Sequence, residues 1–555
     1  MCRLLLMTCF VLYCHPYLMG QNLSRVDAVL RFLGSDDLHE YDADEVENLE
    51  NLFDDPIRIN IASENDLRSS GVFTAYQAAV IADYIGRHGP IHSLLELSLL
   101  DGLGEGFVSK AAPFISLSAQ SNASSRVRNE LAVRSGARWQ ESTGSDVSYG
   151  FKYRIRSGER LSATVAASRS YGDGSWLPSA FSGSFAWKSG RMPVSVVAGD
   201  FNARFGQGLT LWNNSFINTL TGPDSFMKRP SGITQPWSFT GNGAMTGLAV
   251  EAGAGHWLVS SMAVFPGLKD AMPDFMPAFN LAWYGRSGQI SMTTMVSLPL
   301  TGRTTLTAAK TGLDAAFCIC GVNVFGEVSY DWLIKNPNVL AGTRFRMGER
   351  TDMAVQARAF VNDLYGLACC GAHAFGTSDL TWVVDAVSNS SGLQVKGLMT
   401  YEKVFGSNWK LRLRLSERIR TYGLPFRTDA RADVVYTAGN WYSSVRLNVL
   451  NCDGIGLLSY VEGGHSGKRL TAYIRQGIFF IDDWDDRIYV YERDAPGSFN
   501  VPAMYGRGLW TSITASFSPT SWLRMYARAC STCYPFMEKK KLGKAELKLH
   551  LQWRF

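Results

Sequence analysis

Histidine is scarce: eight in 555 residues, scattered as His15, His39, His88, His92, His256, His373, His465 and His550. His88 and His92 have the i, i+4 spacing of a helical zinc pair, but Gly89-Pro90 breaks any helix between them. No P-loop, no G-x-S-x-G and no G-x-G-x-x-G opening a helix occurs anywhere. The chain therefore reads as non-enzymatic, with no cofactor and no metal. Charged residues make up only 19%, below the usual ~25%, which excludes a disordered chain and a coiled coil. No apolar run approaches the ~20 residues of a membrane helix except at the N-terminus.

That exception, residues 1–20, has the form of a secretory signal: Arg3, an apolar stretch from Leu4 to Leu12, and Gly20 before Gln21. Cys2, Cys9 and Cys14 would leave with it. The seven cysteines remaining of ten are an odd number without framework spacing. Cys530-Ser-Thr-Cys533 has redox C-x-x-C form but no following helix, so it reads as an incidental pair in a loop.

Charge divides the chain in two. Residues 21–120 hold six Lys/Arg against seventeen Asp/Glu, whereas 121–555 holds 47 against 32. An acidic unit and a basic unit are joined in one protein. The acidic unit is helical and repeated. Asp42-x-x-Glu45 opens an amphipathic stretch through Val46, Leu49, Leu52 and Phe53, stopped by Pro56. Ser63-x-x-Asp66 and Ser93-x-x-Glu96 both have capping-box form, and each short helix then meets a glycine turn, at Gly71 and at Gly102-Leu103-Gly104. Helices are expected over 75–87 and 106–112.

Ile59-Asn60-Ile61-Ala62, Gly89-Pro90-Ile91, Gly102-Leu103-Gly104 and Phe114-Ile115 resemble a tandem helix-hairpin-helix domain of the ComEA (competence DNA-receptor) type over 57–117. In DNA-binding members the hairpin glycines let backbone amides reach a phosphate. The resemblance thus implies that Gly102, Leu103, Gly104 and Lys110 hold phosphate. The first hairpin departs from the pattern, with Phe73 in place of its second glycine. The charge opposes DNA, because non-specific nucleic-acid binding is electrostatic and 57–118 holds four basic against six acidic residues. A compact protein-contact module is the reading that charge favours.

From about residue 128 the chain alternates with period two. Phe151, Tyr153 and Ile155 alternate with Lys152, Arg154 and Arg156, and Leu411, Leu413 and Leu415 with Arg412 and Arg414. Val445, Leu447 and Val449 alternate with Arg446 and Asn448, and Leu547 to Phe555 with Lys548, His550, Gln552 and Arg554. This is the pattern of an antiparallel transmembrane β-barrel, which at ~9–11 residues per strand gives roughly 16–20 strands. The closing Phe555 resembles the signal that bacterial barrels present to the insertion machinery.

The expected organisation is a signal peptide (1–20), an acidic helical segment (21–56), a small all-α tandem helix-hairpin-helix domain (57–118), a linker (119–127) and an outer-membrane β-barrel (128–555), with the N-terminal domain in the periplasm. Gly199-Asp200-Phe201, Phe205-Gly206-Gln207-Gly208-Leu209 and Tyr491-Glu492-Arg493-Asp494 resemble segments of a poorly characterised family that joins such a helical domain to such a barrel. That likeness implies architecture and no activity. Asp200, Gln207, Glu492 and Arg493 would be polar contacts of a binding site, or turn residues and a lumen salt-bridge network. Arg134, Arg138, Lys152, Arg154, Arg156, Arg412, Arg414, Arg446 and Arg475 fall on the polar side of their strands, as do Lys548 and Arg554. They would attract an anion, or simply pair with lumen carboxylates.

Two functions fit. In one, a barrel with a basic lumen passes or binds an anionic ligand while its helical domain acts as plug or protein adaptor. In the other, the helical domain receives DNA during uptake. The partners implied are outer-membrane lipid, a periplasmic protein and, in the second reading, DNA.

Overall fold

The computed structural model describes residues 25–34, 43–118 and 127–555, the last without 142–143, 159, 190–192, 214–219, 242, 267–273, 300–305, 349, 361–363, 499 and 538–542. The expected signal peptide, residues 119–126 of the expected linker and Asp36, Asp37, Glu40 and Asp42 of the acidic block lie outside the described residues, while Val127, expected to end the linker, already opens the first strand.

Twenty-four antiparallel strands of 8 to 14 residues form the wall. Each pairs with its neighbours in sequence, and the first, Val127–Gln140, pairs with the last, Lys544–Arg554, so the sheet has no edge. The number exceeds the expected 16–20. At the end of the barrel that carries both barrel termini, most strands are joined by two or three residues, as at Arg286-Ser287 and Gly376-Thr377. At Cys320-Gly321 both residues are left-handed (φ 51 and 78), the twist that suits a two-residue hairpin. Shorter turns leave residues for more strands.

Alternation sorts the side chains by face. Leu547, Leu549 and Leu551 stand outward, with Leu549 half exposed at 51%, while Glu546, Lys548 and His550 turn inward. Leu413, Leu415, Val445, Leu447, Ile474 and Ile513 continue the outward aliphatic band. Exposed aromatic residues rim it at both ends: Trp257, Trp409, Trp441 and Trp553 at the terminal end, and Trp139, Trp332, Phe426 and Trp484 at the other. An apolar belt between aromatic girdles on a closed sheet is a membrane-spanning surface.

The N-terminal residues form a helical domain: α1 (Arg25–Leu33), α2 (Ala43–Asp54), α3 (Glu64–Ser69), α4 (Ala75–His88), α5 (Leu94–Ser98) and α6 (Gly104–Ala111). Ser63 and Asp66 make the full reciprocal capping box. At Ser93 only half forms, because Glu96 accepts from the amide of His92 instead. Thr74 and Gln77, whose T-x-x-Q form is as legible, make a second complete box. Phe32, Phe73, Phe107 and Phe114 pack together in the core with their rings tilted or edge-on, and Phe73, where the hairpin pattern has its second glycine, is buried there. Ile57–Arg58 and Ile115–Ser116 pair as a short parallel ribbon that joins the two ends of the segment carrying α3 to α6.

Two connections at the far end are long, 205–244 and 482–505, and the described residues of both fold into the lumen. The first lays Leu209, Leu220 and Phe226 on the inner wall against Phe325, Leu340, Ala354, Val383 and Leu398. The second lays Ile488, Val490 and Met504 against Leu450, Leu458, Phe479 and Trp510. A barrel of this girth cannot fill itself with wall side chains, and these inserts supply the packing.

Leu549→Arg, at the middle of the outer band, should destabilise the bilayer-reconstituted barrel by ~2–4 kcal/mol, and Trp553→Arg at the rim by only ~0–1. Urea unfolding in vesicles measures both; equal costs at the two depths would contradict a spanning surface.

Candidate functional site

The acidic helices meet the basic inner wall. Asp54, at the end of α2, accepts from Arg25 at 2.5 Å, from Arg524 at 2.8 Å and from Arg554 at 3.4 Å. Burial alone would raise its pKa, but the three guanidinium groups outweigh that and hold it at about 2. Glu47 receives Lys152 at 2.6 Å with both side chains buried, and Asp55 receives Arg156 at 3.2 Å. From α1, Asp27 pairs with Arg493 of the second insert at 3.3 Å. Around the rim Asp66 pairs with Lys188 at 2.6 Å, and Arg68 lies 3.8 Å over the Tyr284 ring. Removing one partner of a buried pair such as Lys152–Glu47 costs about 3–5 kcal/mol, because the other is left charged out of water.

Glu50, one turn before Asp54, accepts the Gly497 amide at 2.9 Å. Burial pushes its carboxyl up to about 7, with Arg25 and the Gly497 bond only partly opposing that.

The inserts are anchored by buried carboxylates of the wall and, in the second insert, also by its own carboxylates on wall cations. Glu327 accepts from the amides of Gln207 (2.7 Å), Leu209 (3.1 Å) and Thr210 (2.9 Å) and from the Thr210 hydroxyl (2.7 Å). Gly206 and Gly208 reach the left-handed φ values, +59 and +86, that wrap backbone around it; a Cβ on Gly206 would lie 2.7 Å from a Glu327 oxygen. Asp200 holds the Thr246 hydroxyl at 2.5 Å. In the second insert Glu492 receives Arg528, Arg493 reaches Glu462 at 2.9 Å, and Asp494 receives Lys548 at 2.7 Å. Asp200, Gln207, Glu492 and Arg493 are thus tied into the packing of the lumen.

The other singled-out residues are placed as follows. Leu103 is buried, a Cβ on Gly102 would meet the Tyr76 ring, and Gly104 faces the Arg346 guanidinium on the wall. Lys110 pairs with Asp224 of the first insert at 3.1 Å. Asp224 sits far below the carboxylate range, since Arg344, Lys110 and Arg229 overcome a larger opposing effect of burial. On the wall, Arg134 lies 4.2 Å over Phe239, Arg138 meets Glu546 at 3.3 Å, and Arg154 meets Glu130 at 2.7 Å. Arg412 meets Glu402, Arg446 meets Asp433 at 2.5 Å, and Arg475 meets Glu462. Arg414 faces Arg431 across the strands. Cys530 and Cys533 lie in the strand Leu523–Cys533 rather than in a loop; three apart on a strand, they point to opposite faces and are free thiols.

Sequence reasoning missed Arg524 and Arg528, although Leu523-Arg-Met-Tyr-Ala-Arg carries the same alternation, and it missed the anchor Glu327. A cavity of about 260 Å³ remains between α2, the first insert and the wall, lined by Glu47, Arg154, Arg204, Lys228, Trp212 and Trp237.

No family model matches this chain, and no curated protein does. Among solved structures, the P pilus usher PapC translocation pore aligns over 77% of this chain and 99% of its own at 10% identity and a TM-score of 0.40. The E. coli PapC-PapD-PapK-PapG tip assembly intermediate aligns over 77% and 60% at 9% identity and a TM-score of 0.46. Pseudomonas aeruginosa OccK5 (OpdH) aligns over 77% and 98% at 8% identity and a TM-score of 0.28. At these scores the likenesses assign nothing to this chain.

The Glu50 proton makes docking of the helical domain depend on pH. Below about 4.5 the group is protonated whether docked or released; between about 4.5 and 7 the docked state keeps a proton that the released state has lost, so docking weakens across that window, by about 3 kcal/mol in all, and levels off above it. Asp54 acts oppositely, its contribution being complete above about 4 and lost toward pH 2. Limited proteolysis at pH 5 and pH 8 should therefore release the domain more readily at pH 8, and Glu50→Gln should abolish the difference. The same difference in the variant would contradict the assignment.

Proposed function

We propose that the chain is an outer-membrane pore with a basic lumen that passes or binds an anionic ligand and is closed by its own N-terminal domain. The observation that carries this reading is the set of ion pairs joining α1 and α2 to Lys152, Arg156, Arg493, Arg524 and Arg554. The acidic excess of one unit is spent on the basic excess of the other. The domain, read as a tandem helix-hairpin-helix, lies against the end with both barrel termini and the short turns, the end that faces the periplasm in outer-membrane barrels. Leu94, Leu95 and Leu99 of its second hairpin are exposed by 40%, 69% and 78% and offer a surface to a periplasmic protein.

The phosphate reading of Gly102, Leu103, Gly104 and Lys110 draws no support from this arrangement. Lys110 is engaged by a carboxylate, and Gly104 faces a wall arginine rather than open water. Both features favour the plug over a DNA receptor.

Deleting residues 21–118 should raise single-channel conductance in planar bilayers, with folding of the truncated barrel verified by its heat-modifiable gel migration. A conductance equal to that of the full chain would overturn the plug.

A further inference from the structure

The lumen packing stops short on one side. The cluster around the first insert ends at Leu398, in the strand Gly392–Phe405, and the cluster around the second begins at Leu450, in Trp441–Asn451. The two strands between, Trp409–Arg420 and Phe426–Ala438, contribute no residue to any hydrophobic cluster among the described residues. Leu413, Leu415 and Ile419 of the first face the membrane, so its inward positions read Lys410, Arg412, Arg414, Ser416, Arg418 and Arg420. Phe426 and Val434 of the second face outward, leaving Arg427, Asp429, Arg431 and Asp433 inside. Lane and packing are complementary: where the inserts lay no apolar side chain on the wall, the wall is basic.

Along this lane the carboxylates are placed unevenly. Toward the terminal end, Glu402 holds Lys410 at 2.5 Å and also holds Arg412, and Asp433 holds Arg431 at 2.8 Å and Arg446 at 2.5 Å. Toward the far end, Arg418 stands between Lys396 and Arg427 in the cross-strand register, with Arg420 two residues on along the same face. Among the described residues none of Arg418, Arg420 and Arg427 has a carboxylate within 4.0 Å. Arg420 donates to the Gln394 side chain at 2.6 Å, and Arg427 donates to the carbonyls of Asp485 (3.0 Å) and Arg487 (3.3 Å). Among the described residues Arg418 finds no hydrogen-bond partner, and its Nε is buried. Like charges directly opposite in a sheet destabilise it. Holding three guanidinium groups together with no carboxylate at ion-pairing distance is a cost to the empty barrel that an anion would remove.

We infer that Arg418, Arg420 and Arg427 form an anion-capture site at the far mouth, leading along Arg414, Arg412 and Lys410 toward the plugged end. The ligand class is a small solute with two or more carboxylate or phosphate groups. Several charges are needed because one monovalent anion satisfies one guanidinium, and the planar fork of arginine matches carboxylate and phosphate oxygens in pairs. The inward face of these two strands carries no aromatic residue, so the stacking platform on which proteins hold single-stranded nucleic acid is missing. Neighbouring inward positions lie ~7 Å apart along a strand, and a series of such sites, each weak enough to leave, is what conduction requires. The inference rests on the reading of the barrel as one that passes or binds an anion, and it supplies the place and the chemistry.

The test uses the full chain in detergent, titrated calorimetrically with citrate and with inorganic phosphate, against sodium chloride at matched ionic strength. Arg418→Gln removes no existing hydrogen bond, so it should fold; it should weaken citrate binding at least tenfold and raise the melting temperature of the ligand-free protein in low salt. Arg418→Lys should recover part of the affinity, and Arg507→Gln, in an exposed pair with Asp482 at the end of the strand Gly506–Phe517, should leave it unchanged. Equal citrate affinity in wild type and Arg418→Gln, an equal loss in Arg507→Gln, or an effect reproduced by chloride would overturn the site. Failure here beside a rise in conductance on removing residues 21–118 would remove the capture site and leave the plug standing.

Discussion

A charge taken out of water has to be paired, or it costs several kcal/mol, and the inside of this barrel is arranged around that constraint. Arg524 and Arg554 rise from neighbouring strands toward the same point, and Asp54 is the carboxylate that meets them. Lys152 would be a buried cation without Glu47. The helical domain is therefore a counter-ion for the wall: the wall needs its carboxylates, and they need the wall. Glu50 is the exception inside this group. Its nearest help is one arginine and one amide, and its carboxyl stays near neutrality in consequence.

The same constraint explains how the inserts are held. Glu327 would be a buried charge but for three backbone amides and a hydroxyl of the first insert, and Glu492 and Asp494 of the second meet Arg528 and Lys548. Two segments enter from one end and a domain from the other, and they meet through Asp27–Arg493, Glu50–Gly497 and Lys110–Asp224. The pairings couple the three bodies, so moving the helical domain exposes charges on both inserts at once. Among the described residues the strands Trp409–Arg420 and Phe426–Ala438 give no side chain to the apolar packing, touching the second insert through Arg427 on the carbonyls of Asp485 and Arg487, and there the charge balance is positive.

Much of this was legible in the sequence wherever a local rule governs. Period-two alternation located the barrel and assigned Arg134, Lys152, Arg412 and Arg446 to its inner face, because the pleat leaves a strand residue only two directions. Ser63-x-x-Asp66 announced a helix start, since a cap is satisfied within four residues. The opposite charges of residues 21–120 and 121–555 pointed to docking before any contact was known. Strand number was underestimated because turn length follows backbone geometry that composition does not report. The inserts were invisible: 205–244 mixes Gly, Pro, Trp and Asn without a period, and Glu327 lies more than a hundred residues from the turn it holds. Nor could alternation reveal that Arg418 would stand opposite Arg427, since register is set by the chain of hairpins as a whole.

The most direct measurement of the central claim is a charge exchange at the plug. Planar-bilayer conductance would be recorded for Asp54→Arg, for the double variant Arg524→Asp/Arg554→Asp, and for the three together. If ion pairing holds the barrel shut, each half of the exchange opens it and the combination closes it again. Conductance that stays at the wild-type level in Asp54→Arg, or that remains raised when all three changes are combined, would contradict the account.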